Sequence, residues 1–227
     1  MLTIRSLGHA CHTLSDGSHS IILDPFLTGN PDAARGPGEV DVEAVLPSHG
    51  HADHFGDTLA IAKRLGCPVV ACAELAGYCA RQGCATVGMH IGGQRQFDFG
   101  TVKLTQAWHG SAMTVEGRTE YVGPAVGFLV TMGGVTVYFA GDTGLFGDMR
   151  LIGDEGVDVA ILPIGDNYTM GPADALRAVD FLRPGMVIPM HYHAFEAIRQ
   201  DAGAFAAAVE KHGAKCAVLA PGEETTA

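Results

Sequence analysis

Within one short segment, His49-Gly50-His51-Ala52-Asp53-His54, the chain carries four side chains able to bind a metal ion. Imidazole nitrogens and carboxylate oxygens both suit zinc and other first-row divalent metals. The run follows Ala44-Val45-Leu46-Pro47, which reads as a buried strand, so its ligands stand on a tight turn at a strand end. From there His49 and His51 can project towards one ion, and Asp53 and His54 can turn towards a second. Three His and one Asp at this spacing argue against a merely polar surface loop.

Three further candidates occupy the same kind of position. His109 follows a strand-like stretch, Asp142 follows Tyr138-Phe139-Ala140-Gly141, and His191 follows Ile188-Pro189-Met190. Each alone reads as a polar cap. Together with the histidine run they complete two sites sharing one carboxylate. Two ions sharing a water lower its pKa and generate hydroxide, and one of them polarises a carbonyl or phosphoryl oxygen. An ester, lactone, amide or phosphodiester is then open to attack. Asp53, which can ligate and orient the nucleophile, is the candidate catalytic residue.

The elements that must position these residues alternate with turns. Strands are expected over 3–7, 11–14, 20–23, 44–47, 69–71, 102–107, 125–132, 135–140, 157–163, 186–190 and 215–220. Helices are expected over 58–65, 74–82, 173–182 and 202–212. Gly66 is a C-cap candidate, Gly83 ends the second helix, Gly133-Gly134 signals a hairpin, and Gly, Pro and Asp between 28 and 39 mark a loop. Strands first, then βα units, twice over, predict an α/β chain with two sheets and helices outside: a four-layered αββα sandwich. No linker or low-complexity tract divides it, so residues 1–227 are expected to form a single domain.

With 227 residues and a formal net charge of −11, the chain lacks the basic face that binds nucleic acid backbones or anionic membranes. The expected partner is a small-molecule substrate, with self-association as a homo-oligomer left open. The six cysteines form no C-x-x-C and no familiar zinc pattern, and read as small buried side chains. The N-terminus lacks a signal-peptide layout and no apolar run spans a bilayer, so a cytoplasmic location with reduced thiols is expected.

Taken together, the H-x-H-x-D-H run, the downstream His109, Gly141-Asp142-Thr143 and His191 resemble the metallo-β-lactamase superfamily over essentially the whole chain. Within it, the chain is most similar to a little-characterised family of small metal-dependent hydrolases related to the L-ascorbate-6-phosphate lactonase branch. Leu7-Gly8-His9-Ala10, Leu23-Asp24-Pro25-Phe26, Pro163-Ile164-Gly165-Asp166-Asn167, Tyr168-Thr169-Met170-Gly171-Pro172 and Pro189-Met190-His191-Tyr192 carry that likeness. The resemblance implies His49, His51 and His109 on one metal, Asp53, His54 and His191 on the other, and Asp142 bridging. Two divalent ions follow: zinc first, with manganese, iron or nickel also suited to nitrogen and oxygen ligands. Two competing readings stay open, a mononuclear iron oxygenase like the sulfur dioxygenases and a non-catalytic metal-binding protein.

Four weaker candidates flank the set. His9 either contacts metal or substrate or is a structural histidine. Asp24 is expected to accept a hydrogen bond from a ligand histidine and fix its tautomer. Asn167 sits in the polar loop 166–169, which is expected to face the site. His193 departs from the Asn-Thr that relatives more often carry after the His-Tyr pair, and is either a general acid, a substrate contact or a solvated side chain. His12, His19, His90 and His212 have no partners in sequence and read as core or surface residues, and Trp108 is expected to pack beneath His109.

Overall fold

The structure is a computed structural model that describes all 227 residues. In the first half, β1 (Thr3–Gly8), β2 (Cys11–Ser15) and β3 (Ser20–Leu23) form an antiparallel meander. Three parallel strands extend it: β4 (Ala44–Leu46), β5 (Val69–Cys72) and β6 (Thr86–Met89). Parallel strands covered on both faces should be apolar throughout, and every residue of β4 and β5 is buried. The crossovers carry α1 (Ala52–Phe55), α2 (Thr58–Leu65) and α3 (Ala73–Arg81). Gly66 closes α2 in the left-handed region, where a residue without Cβ is unstrained.

The second half starts with β7 (Gln94–Phe97) and β8 (Gly100–Gln106). A separate hairpin follows, β9 (Ala112–Val115) and β10 (Arg118–Tyr121). Then β11 (Val126–Met132) turns into β12 (Val135–Phe139) through Gly133 and Gly134, whose φ of 59° and 81° suit the mirror-image turns of hairpins. Parallel βα units complete the sheet: α4 (Met149–Gly153), β13 (Val159–Pro163), α5 (Pro172–Leu182), β14 (Met186–Met190), α6 (Ala202–Lys211) and β15 (Lys215–Cys216). Finally β16 (Glu224–Thr226) crosses back and pairs with β1, Thr226 opposite Thr3.

Two seven-stranded sheets result, ordered β16-β1-β2-β3-β4-β5-β6 and β15-β14-β13-β12-β11-β8-β7. One apolar core joins the inner faces and reaches under α2 and α3; Phe128 and Phe139 of the second sheet share it with Ile4, Leu14 and Ile21, which lie on one face of the first. A second core, built on Tyr138, Leu162 and Phe205, fills the space under α4, α5 and α6. These are the four layers of an αββα sandwich. No helix is long and apolar enough to cross a membrane.

The expected strand 215–220 is cut to two residues. Ala217 still donates to Val187, but the chain then leaves the sheet through Pro221, and Gly222 donates to Ser6 at the start of the return to β1. Strands β6, β7, β9 and β10 and the short helices were absent from the sequence pattern; β10 is exposed along its whole length and shows no apolar alternation.

Candidate metal centre

The ligand candidates converge because their strands end at one edge of the sandwich. His49 lies just beyond β4. His51 is the N-cap of α1, and that single turn of helix carries Asp53 and His54. The run is therefore a turn leading into a helix, which spreads its four side chains over two directions. Asp142 follows β12 after Gly141, whose φ of 60° suits a residue without Cβ. His9 and His191 end β1 and β14, and both hold left-handed backbone, φ 57° each. Such conformations are costly for non-glycine residues and cluster at functional sites. The His191 amide donates to the His9 carbonyl at 3.3 Å, tying the two strained ends together across the sheets.

The donor atoms fall into two groups. His49, His51 and His109 form one, with His49 Nε2 3.0 Å and His109 Nε2 3.3 Å from His51 Nδ1. His9, Asp53, His54 and His191 form the other. Asp142 reaches both: Oδ1 lies 3.3 Å from His54 Nε2, and Oδ2 lies 3.3 Å from His191 Nε2 and 3.5 Å from His109 Nε2. His54 Nε2, His191 Nε2 and Asp142 Oδ1 are buried without a hydrogen-bond partner. Native proteins rarely leave such atoms unpaired, and three of them aimed at one space fit metal ligation.

Behind the donors, Asp24 and Ser48 set tautomers. Asp24 is fully buried and accepts from the Ser48 amide at 2.6 Å, the Ser48 hydroxyl at 2.7 Å and His54 Nδ1–H at 2.7 Å. Having donated its one hydrogen to Asp24, Ser48 Oγ can only accept from His49 Nδ1–H, at 2.9 Å. Both histidines are thereby left with a bare Nε2 facing the donor cluster, the form that binds metal. Asp24 thus stands where expected, while Ser48 was missed; its signal was its place directly before His49.

Charge is organised around the carboxylates. Burial opposes ionisation of Asp142, yet His54 and His191 outweigh it and hold the carboxyl well below its usual range. Asp53 is likewise lowered against the opposing effect of burial, by His191 3.8 Å away, by the hydrogen bond from His9 and by the charge of His54. His54 and His191 are raised despite burial, chiefly by Asp142. His49 and His109 are lowered, mainly by burial. One half of the cluster thus attracts positive charge, and the other offers neutral imidazoles.

The donors open into a cavity of about 240 Å³, lined by His51, Asp53, His109, Asp142 and His191, with Tyr168, Phe195 and Ile198 as its apolar wall. Phe195 rests edge-on against His9 and stacks on Phe26. Neither Phe195 nor Ile198 was foreseen, since they lie beyond His191 in a segment with no periodicity. In the polar loop it is Tyr168 that joins the wall. Asn167 does not line the cavity; it holds left-handed backbone, as does Asp166, and together they aim Tyr168. His9 joins the second donor group, with Nε2–H donating to Asp53 at 3.3 Å. His193 pairs with Asp32 at 3.0 Å on a largely exposed rim and lies outside both donor groups. Trp108 is 67% exposed and does not pack beneath His109. His12 is buried in the core, while His19 and His212 pair with Glu43 and Asp180.

Residues 3–191 match the family model of the β-lactamase superfamily domain. A UPF0173 metal-dependent hydrolase of Pelotomaculum thermopropionicum is 52% identical over 98% of this chain and 98% of its own. Another from Thermus thermophilus is 48% identical at the same coverage of both chains. Among solved structures, Igni18, a metallo hydrolase from the archaeon Ignicoccus hospitalis, superposes with a TM-score of 0.90 at 34% identity, covering 99% of this chain and 97% of that one.

Proposed function

The chain belongs to the β-lactamase superfamily, and from that membership and its donor cluster we propose that it is a hydrolase working with two divalent metal ions on a small-molecule ester, lactone or phosphodiester. The observation that carries the reading is Asp142, whose two oxygens reach histidines of both donor groups. His49, His51 and His109 would hold one ion; Asp53, His54 and His191 the other; Asp142 would touch both. Zinc suits this set, as do manganese, iron and nickel. When bound, the ions acidify water and polarise the oxygen of the scissile bond.

The chain's own residues supply the rest. His9 Nε2–H donates to Asp53 and holds that carboxylate at the cavity, where it can take a proton from the attacking water and return it to the leaving oxygen. Asp24 and Ser48 keep His54 and His49 in the tautomers that present Nε2. Tyr168, Phe195 and Ile198 shield one side of the reacting bond from bulk water.

The test is metal quantification combined with a panel of lactones, phosphodiesters, thioesters and β-lactams. Turnover that follows metal content supports the reading. Trace metal only, with no turnover restored by zinc or manganese, contradicts it. One iron per chain with consumption of dioxygen would favour an oxygenase instead.

A further inference from the structure

The cavity at the donors shares His51 in its lining with a second, larger one. The second cavity measures about 470 Å³ and runs from His51 past Ala52 and Phe55 to Ala112, Met113 and Thr119 on the β9–β10 hairpin. Its hydrophobic walls are Ala52, Phe55, Ala112 and Met113.

The hairpin is fixed to the ligand loop. The Gly50 amide donates to Ser111 Oγ at 3.2 Å. Gly50 also has no room for a side chain, because a Cβ there would overlap Val122 Cγ2 and Met113 Cγ. One wall of the groove is therefore set directly against the residue between His49 and His51.

Neither cavity is lined by Lys or Arg. Arg118, the one basic residue of the hairpin, is exposed and does not line the groove. Sites that recognise phosphate commonly use Arg or Lys to hold the oxygens not engaged elsewhere. This cleft offers aromatic and aliphatic surface instead.

Resting on the hydrolase reading, we infer that the substrate is an uncharged carboxylic ester or lactone with an apolar arm. Its carbonyl sits at the donor cluster, with its arm in the groove between Phe55 and Met113. Water adds to the acyl carbon, the acyl C–O bond breaks, and the proton passes to the departing alkoxide, so no co-reactant is needed.

The experiment uses metal-loaded protein with p-nitrophenyl acetate, butyrate and octanoate, and with bis(p-nitrophenyl) phosphate. The expected kcat/KM rises about tenfold or more from acetate to octanoate, since each methylene removed from water contributes up to roughly fourfold. The phosphodiester is the poorest substrate. Met113→Arg reduces the octanoate-to-acetate ratio to about one. Thr119→Arg, at an exposed strand position that tolerates substitution, does the same if Met113→Arg fails to fold. Hydrolysis with a flat chain-length series, or with the phosphodiester preferred, overturns the inference and leaves the hydrolase reading standing. If no compound turns over, calorimetry with acetamide and octanamide still decides the groove. Tighter octanamide binding, lost in Thr119→Arg, supports the apolar arm; equal binding overturns it.

Discussion

Ser48 Oγ lies 2.9 Å from His49 Nδ1 and, because its only hydrogen is given to Asp24, it acts there as an acceptor. One hydroxyl thereby converts a buried carboxylate into control over which nitrogen of His49 is bare. Ser48→Ala removes the acceptor while adding no bulk. The expected result is an affinity for zinc roughly 10–100-fold weaker, the usual effect of losing a partner behind a ligand. Chelator competition measures it. Unchanged affinity would show that His49 needs no such partner.

His51→Ala is expected to abolish turnover while the domain stays folded. His51 is half-buried at the mouth of both cavities rather than in the core, and its side chain joins the first donor group. Circular dichroism alongside activity checks both halves of the statement. Full activity in a folded variant would remove His51 from the site.

Gly165 lies between β13 and the loop that carries Tyr168. A Cβ at this position would overlap the carbonyl oxygen of His191 and crowd its Nδ1. That carbonyl is backbone and cannot rotate away. Gly165→Ala should displace His191, cost about 1–3 kcal/mol of stability as overpacking does, and weaken the binding of one metal equivalent before the other. Metal titration with a denaturation curve tests this; two undisturbed binding steps would contradict it.

Acid stability should carry the imprint of His12. This side chain is wholly buried, close to Phe139, with Nδ1–H donating to the Ala10 carbonyl at 3.0 Å and Nε2 unpartnered. Burial lowers its pKa from 6.5 to about 4, against the smaller raising effects of that hydrogen bond and of Asp24. Between those values the unfolded chain binds a proton that the folded one refuses, so acid favours unfolding. The contribution is present in full above pH 6.5 and falls by about 2 kcal/mol at pH 5. His12→Gln, which cannot take up the proton, should lose less stability than the parent between pH 7 and pH 5 in urea titrations. Equal losses would place the acid sensitivity elsewhere.

The positions of the candidate donors were legible because they sit where apolar strands end, a pattern that survives without knowledge of the packing. The same holds for β4, α2 and β14, whose apolar runs are continuous or helical in period. What sequence could not carry was long-range. β16 is defined by pairing with β1 at the opposite end of the chain, so the local pattern over 215–220 overstated one strand and gave no sign of the other. The β9–β10 hairpin has little apolar alternation because it packs through its ends and Gly50 rather than through a face. Phe195 is placed by its contacts with His9 and Phe26, partners far off in sequence. Trp108 shows the reverse error, since a large aromatic beside a ligand suggested burial, yet it is mostly solvated.

Under the proposed function seven side chains, with Asp142 between the two groups, hold two divalent ions. Zinc-reconstituted protein, freed of loose metal and analysed by plasma emission spectrometry, tests it most directly. The prediction is two zinc ions per chain in the parent and no more than one in Asp142→Ala, with hydrolysis lost alongside. A parent that binds no more than one ion, or an Asp142→Ala variant that keeps both, would contradict the account.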